Sequence, residues 1–365
     1  MLPAAAASLG VPGAEDRLGL VDRIGPVRQV VVVLVDGLGY HLLPKLAPHA
    51  PLLAAVLAGG AGHIAELECT FPSTTPTSLV SLATGNLPGE HGILGFTLNV
   101  PGTDRVLTHI TWRDDPEPAT WQPVPTWFER MAEAGASSAV VLPRYFAGSG
   151  LTEAAYRGAR FCGVGKRQDY ARRLVREVRG GPPLVYGYTA VLDTAAHRHG
   201  IASAEWGHAA AEADALLTRV LAGLPAGAVL LVTADHGGLD VPVTGRLDIG
   251  ADPCLSDGLR VVAGEPRVRY LHVLDGAQTD VQAAWRAVLG DRADVLTRDE
   301  AVATGMFGPV RAEHLPRIGD LVVICAGDSV VLATDREPPE VAALIGFHGS
   351  ATPAETAIPL ITLRP

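Results

Sequence analysis

The sequence predicts an α/β fold: a mostly parallel sheet with helices on both faces. Two observations carry this. Strand-like and helix-like segments alternate along the chain, and the clearest strands are unbroken apolar runs ended by a turn. The composition agrees. Hydrophobic residues make up 48% and charged residues 19%, which excludes a wholly disordered chain. With 365 residues there is room for two or three domains, or for one large α/β domain with insertions.

The elements follow in order. Residues 1–27 mix small residues, Gly, Pro and charges, and read as a loosely held arm. VVVLV (31–35) is β-branched and stops at Asp36-Gly37, as a strand buried on both faces would. Residues 41–58 read as a helix despite their prolines. Pro76 to Ala83 reads as another, with Pro76 suited to its first turn and Thr75 as the N-cap. A helix at about 126–134 precedes the strand-like 136–142. Residues 183–193 read as a strand running into a polar turn. Ser203 to Leu224 has helical periodicity, with Glu205 one position early for a capping box. Residues 228–238 repeat the first pattern: an apolar strand, then Asp-His-Gly-Gly. Two stretches break the rhythm. Residues 96–120 read as a β-hairpin turning at Pro101-Gly102. Residues 240–335 mix short strands with helices near 278–289 and 298–304. No internal repeat or linker marks a second domain, so 28–365 reads as one domain with these two insertions.

The net charge of −10 argues against a nucleic-acid polymer or a polybasic membrane contact as partner. Of the 29 basic residues only Lys45 and Lys166 are lysines, a bias that says little about function. Cys69, Cys162, Cys254 and Cys325 are scattered, with no CxxC pair, and read as reduced thiols. The N-terminus lacks a basic and apolar leader. The longest aliphatic run, Val30 to Val35, is far short of the roughly 20 residues of a membrane helix. Together these features predict a cytoplasmic protein with no membrane partner.

Three strand ends present acids or imidazoles: Asp36, Asp193 and Asp235-His236. Ligands of open α/β sheets bind at the carboxyl ends of strands. One Asp after a strand is usually a turn former or a cap; three in Gly-rich contexts weigh against that. Asp193 and His197 share a face if their segment is helical, and could then hold one ion. A solvated helical face is the commoner meaning of such a pair. His348, flanked by glycines, is poorly placed as a core filler but equally suits a loop. The Ser/Thr cluster at 69–85 precedes a helix. Its hydroxyls either cap, or sit where a helix N-terminus favours phosphate.

The order Asp36, the Thr75 cluster, Asp193-x-x-x-His197-x-x-Gly200, Asp235-His236-Gly237 and His348-Gly349 resembles the alkaline phosphatase superfamily. The resemblance spans about residues 29–362 and is closest to the nucleotide pyrophosphatase/phosphodiesterase branch. ATGNLPGEHGI (83–93) adds to it. It implies a three-layer alkaline-phosphatase-like core with small cap insertions. It also implies Thr75 as nucleophile, by its spacing to Thr84-Gly85, with Thr74, Ser73 and Thr70 as alternatives. One metal would be held by Asp193, His197 and His348, the other by Asp36, Asp235, His236 and the Thr75 oxygen. The nitrogen and oxygen donors suit two divalent ions, zinc first, with manganese or iron also compatible.

The implied reaction is a double displacement at phosphorus through a phosphothreonine, hydrolysing a phosphodiester or pyrophosphate bond of a small substrate, nucleotides among the candidates. A phosphomonoesterase or phosphomutase of the same superfamily is the alternative, since Arg144 or Arg167 can fold toward the site; an inactive α/β binding protein is a third. The chain departs from the branch at Pro76, where a nucleobase-stacking Phe is common. It departs again at Phe96, where a phosphate-binding Asn is common, with Asn99 nearby. Phe96 and Asn99 are therefore the candidate substrate contacts. No Cys/Ser-x-Pro-x-Arg motif supports the sulfatase branch. His91 reads as a brace behind the nucleophile helix, His41 and His199 as solvated or supporting residues, and Trp112, Trp121 and Trp127 as pocket walls or a satellite core.

Overall fold

Val30 to Val35 are almost wholly buried because they form the centre of a seven-stranded sheet with both faces covered. The computed structural model describes all 365 residues. In chain order the strands are β1 (Gln29–Val35), β2 (His63–Glu68), β3 (Ser138–Pro143), β4 (Arg160–Val164), β5 (Leu184–Thr189), β6 (Ala228–Thr233) and β7 (Ala357–Leu363). Their spatial order is β2-β7-β6-β1-β5-β3-β4. All run parallel except β7, which pairs antiparallel with both neighbours.

Alternation along β1 divides the core. Val30, Val32 and Leu34 pack with Leu79 and Val80 of the Thr75–Thr84 helix and with Trp127 and Phe128 of the Trp127–Glu133 helix. Val31, Val33 and Val35 face the Tyr170–Arg179, Val191–His199 and Ala204–Gly223 helices. The result is three layers with helices on both faces, as the strand pattern required. The Ala204–Gly223 helix is capped by Ser203, whose hydroxyl accepts from the Trp206 N–H at 3.1 Å.

The 96–120 hairpin pairs Thr97–Asn99 with Val106–Thr108. The later insertion builds a four-stranded antiparallel sheet from Leu259–Glu265, Val268–Val273, Leu321–Cys325 and Ala293–Thr297. It has its own small core around the fully buried Trp285 of the Gln278–Leu289 helix.

Three expectations are corrected. The N-terminal segment is not a loose arm. Its Ala-rich Leu2–Ser8 stretch is helical and buries Leu2, Ala5 and Ala6 in the main core. Pro3 comes so close to Gly85 that a Cβ there would lie 2.5 Å from it. The single helix expected over 41–58 is broken into short α and 3-10 pieces at Leu43–Leu46, Ala47–His49 and Pro51–Leu57. Internal prolines remove N–H donors and clash with the preceding turn. The N-cap of the Thr75–Thr84 helix is Thr74, one residue earlier than expected, and its side chain makes no cap hydrogen bond. No helix of the chain is long and apolar enough to cross a membrane, and all four cysteines are unpaired.

Three buried histidines away from the sheet edge are held neutral. Burial lowers His91 to about 3, with His314 adding to the effect, and lowers His109 and His272 to about 4. An unfolded histidine titrates near 6.5. Between these values the unfolded chain binds more protons, so stability falls as pH drops below about 6.5. The expected slope is up to about 1.4 kcal/mol per pH unit for each such histidine. Urea midpoints from pH 7 to pH 5 measure it, and a flat profile would contradict the assignment.

Candidate dimetal centre

The parallel register brings the chemistry to one edge. Val35 lies opposite Thr189, and Leu34 opposite Thr233, so β1, β5 and β6 end flush. Asp36 follows β1 directly, and Asp235 and His236 follow β6 after one residue. β5 passes into the Val191–His199 helix, whose successive turns carry Asp193 and His197 on one face. The reversed direction of β7 matters here. Because it starts at the edge where its neighbours end, the loop before it delivers His348 to the same place. β2 ends there as well and leads into the Thr70–Thr75 turn.

That turn is stitched to the His348 loop. The Ser73 N–H donates to Gly349 O at 3.0 Å, the Gly349 N–H to Ser73 Oγ at 3.1 Å, and the Ser73 hydroxyl to Ser350 O at 2.6 Å. These bonds occupy Ser73. Thr70 is paired with Ser78 at 3.0 Å, and Thr74 is fully buried. Thr75 is half-buried, with Oγ1 3.2 Å from His236 Nε2. Of the four candidate hydroxyls it is the one beside the ligand groups.

Two ligand groups result: Asp193 with His197 and His348, and Asp36 with Asp235 and His236. Within each, the donor atoms lie within 4.8 Å of one another. The stacked rings of His236 and His348, 3.5 Å apart, form a shared wall between them. Each imidazole is tethered through Nδ1 to a main-chain carbonyl: His197 to Gly346 at 2.8 Å, His236 to Gly237 at 2.8 Å and His348 to Ser73 at 2.9 Å. With the proton on Nδ1, each ring in its neutral form keeps Nε2 as a lone pair facing the centre.

The carboxylates are arranged the same way. Asp36 Oδ2 accepts from the Tyr188 hydroxyl, and Asp235 Oδ1 accepts from the N–H groups of Gly37 and His236. Their other oxygens, Asp36 Oδ1 and Asp235 Oδ2, are buried without a hydrogen-bond partner. They lie 3.3 and 3.7 Å from His236 Nε2. In the other group His197 Nε2 is 3.2 Å from Asp193 Oδ2 and 3.3 Å from His348 Nε2. With the imidazoles neutral, acceptors face acceptors across each group, an arrangement that bound cations satisfy. The residues present therefore fit two divalent ions.

The electrostatics of the protein alone agree. Burial, reinforced by Asp235 and Asp193, raises Asp36 well above the usual carboxylate range. Burial also opposes ionisation of Asp193, but His197 beside it outweighs this and holds Asp193 low. Burial opposes protonation of His197, yet the Asp193 carboxylate raises it to about 9, so in the protein alone the two form an ion pair. His348 is driven well below its ordinary value by burial, then by His236.

Phe96, His197 and His348 line a cleft of about 850 Å3 between the sheet edge and the insertions. Asn99 does not: it is buried in the hairpin with Oδ1 unpaired. Arg144 and Arg167 line other cavities, near the ends of β3 and β4, and do not reach the cleft. The three tryptophans pack in the main core and line none of it. His91 braces the turn as expected. Its Nδ1 accepts from the Ile93 N–H at 3.1 Å, and Nε2 meets the Ser81 hydroxyl at 2.7 Å. His41 and His199 are exposed.

Sequence reasoning missed Tyr188 and the Arg267–Glu355 pair. Arg267 and Glu355 are fully buried and joined by two hydrogen bonds of 2.9 and 2.7 Å. Glu355 also accepts from the Ser350 N–H at 2.9 Å, so the pair ties the 240–335 insertion to the loop that carries His348. Nothing local in the sequence links residues 88 positions apart.

The architecture is that of the alkaline phosphatase superfamily, whose members are typically dimetal enzymes. More narrowly, the model of the type I phosphodiesterase / nucleotide pyrophosphatase family matches residues 30–351, and the chain belongs to that family. Murine ectonucleotide pyrophosphatase/phosphodiesterase 5 is similar in structure, with a TM-score of 0.75 at 16% identity, over 92% of this chain and 88% of that one. An inactive form of the murine protein in complex with AMP gives 0.74 at 16% identity, over 93% and 88%. Phosphonoacetate hydrolase from Sinorhizobium meliloti 1021, in complex with phosphonoacetate, gives 0.69 at 20% identity, over 93% and 90%. The fold is that of phosphodiesterase/pyrophosphatase-type hydrolases.

Asp36→Asn removes a carboxyl that folding of the metal-free chain must either protonate or hold charged beside Asp235. The metal-free protein is expected to gain about 1–3 kcal/mol. The variant loses most of the rise in Tm on adding Zn2+, which for the parent is set by RT ln(1 + [L]/Kd). Thermal unfolding with and without metal measures both. A variant less stable without metal and equally stabilised with it would contradict the charge account.

Proposed function

We propose that the protein is a dimetal phosphoric-ester hydrolase. It cleaves phosphodiester or pyrophosphate bonds of a small substrate through a phosphothreonine on Thr75. The observation that carries this reading is the half-buried Thr75 hydroxyl, 3.2 Å from His236 Nε2 of the Asp36, Asp235 and His236 group.

Asp193, His197 and His348 would hold one ion, and Asp36, Asp235 and His236, with the Thr75 oxygen, the other. Zinc suits this all-nitrogen-and-oxygen set. Bound there, two divalent cations supply Lewis-acid stabilisation of the attacking and leaving oxygens. The chain does the rest. Thr75 sits in the first turn of its helix, where main-chain N–H groups lack intrahelical partners and favour a phosphoryl group. Its Oγ1–P bond forms as the bond from phosphorus to the leaving oxygen breaks, and the hydroxyl proton passes to solvent. Water then attacks the phosphothreonine and restores the hydroxyl. Ser73 and Gly349 hold the turn that sets the angle of attack, and Tyr188 fixes Asp36.

Thr75→Ala is expected to lower kcat on bis(4-nitrophenyl) phosphate by about 10^3-fold or more. Chelation is expected to abolish turnover, with recovery on adding Zn2+. Acid quenching during turnover should trap a phosphorylated Thr75 peptide, detectable by mass spectrometry. Unchanged turnover in Thr75→Ala, or full activity without metal, would overturn the reading.

A further inference from the structure

β3 lies between β5 and β4, and the chain leaves it on a different face of the sheet from either neighbour. From β3 it runs to the Gly150–Tyr156 helix, packed on the side of the Thr75–Thr84 helix. From β4 and β5 it runs to the Tyr170–Arg179 and Val191–His199 helices on the opposite side. Where neighbouring parallel strands send the chain to opposite faces, a crevice opens beyond their carboxyl ends, and ligands of such sheets bind there. Two cavities occupy it. One, of about 650 Å3, has Tyr145, Lys166, Tyr170, Leu216 and Arg219 in its walls. The other, of about 250 Å3, has Arg144, Arg172, Arg173 and Arg176. Val164 and Gly165 belong to both. The Arg144 guanidinium stands at this junction, since a Cβ on Gly165 would lie 3.7 Å from its Nη2. Neither cavity shares a residue with the catalytic cleft or with the two ligand groups.

The charge at this crevice opposes that of the chain. The net charge is −10, yet seven cationic side chains line the two cavities against the carboxylates of Asp169 and Glu212. Each of those acids is engaged in one ion pair, Asp169 with Arg172 at 2.6 Å and Glu212 with Arg167 at 3.7 Å. Glu177, which lines neither cavity, is shared by Arg160, Arg173 and Arg176. Arg144, Lys166 and Arg219 have no acidic partner; Arg219 donates only to Ala215 O. Crowded like charges repel, and a bound anion relieves the repulsion. The side chains of Arg172 and Arg176 are 80% and 66% exposed, so an anion reaches them directly from solvent. Guanidinium forks match the oxygens of a phosphoryl group.

We propose that this crevice is a second, non-catalytic site that binds an organic phosphate. The arginines of the smaller cavity hold the phosphoryl group. The carbon skeleton occupies the larger one, against Val164 and Leu216 and beside the ring of Tyr145, which is 75% exposed. The site is independent of the hydrolase reading above.

The test uses the full-length, zinc-loaded protein and 4-bromophenylphosphonate, whose phosphorus–carbon bond the proposed reaction leaves intact. Anomalous diffraction at the bromine edge from soaked crystals should place bromine in the larger cavity, with the phosphonate beside Arg144, Arg172 and Arg176. Calorimetry should show a binding event that persists after zinc is chelated. Arg144→Ala and Arg172→Ala should each weaken it by about 10-fold or more, the range of a hydrogen bond to a charged group. Both variants should keep the parent's rise in Tm on adding Zn2+. Tyr145→Ala should weaken the aryl phosphonate and leave inorganic phosphate unchanged. 4-Bromobenzoate, which has the ring without the phosphoryl group, should bind about 10-fold more weakly or worse. Inorganic phosphate bound as tightly as the aryl phosphonate would mean an adventitious ion only, and would overturn the proposal. So would 4-bromobenzoate bound as tightly, bromine found only in the catalytic cleft, a binding event lost with zinc, or affinity unchanged in both arginine variants.

Discussion

The buried carboxylates Asp36 and Asp235 and the half-buried Asp193 are brought together at one edge of the sheet, and the groups around them are arranged to answer that repulsion. Asp36 and Asp235 follow neighbouring strands whose register leaves them little freedom to separate. Each gives one oxygen to a neutral donor and points the other at an imidazole lone pair. Such a cluster is unfavourable in an interior of low polarity unless cations enter it. Without them, protonation of Asp36 and His197 relieves part of the cost.

The scaffold makes that arrangement rigid. Every imidazole of the two groups is fixed by a main-chain carbonyl, so ring orientation is set by the backbone. The antiparallel β7 is the topological device that lets a C-terminal histidine join residues from β1, β5 and β6. The Arg267–Glu355 pair then locks the large insertion onto the His348 loop. The cleft wall and the ligand groups are thereby held as one unit, which a site demanding sub-ångström placement needs.

Much of this could be read from the chain, for identifiable reasons. β1, β5 and β6 are unbroken apolar runs, a pattern with few meanings other than a doubly covered strand. The acids and histidines that follow them lie at fixed short offsets, so their position at the sheet edge came with the strands. Asp193 and His197 needed only a helix to share a face. Tyr188 and the Arg267–Glu355 pair were not readable, because each acts through a contact far away in sequence. The N-terminal segment was misread because its small, weakly hydrophobic residues resemble a linker, yet the same smallness lets Leu2–Ser8 approach the Thr75–Thr84 helix closely. Asn99 was misplaced because counting along a hairpin does not say which side faces the cleft.

The central claim is that the acceptor atoms of the two groups exist to hold two cations side by side. Anomalous diffraction from crystals of zinc-loaded protein, collected on either side of the zinc edge, tests it most directly. The account predicts two peaks about 4 Å apart, one among Asp193, His197 and His348, the other among Asp36, Asp235, His236 and the Thr75 oxygen. No peak at either group, or a single ion bound elsewhere, would contradict it.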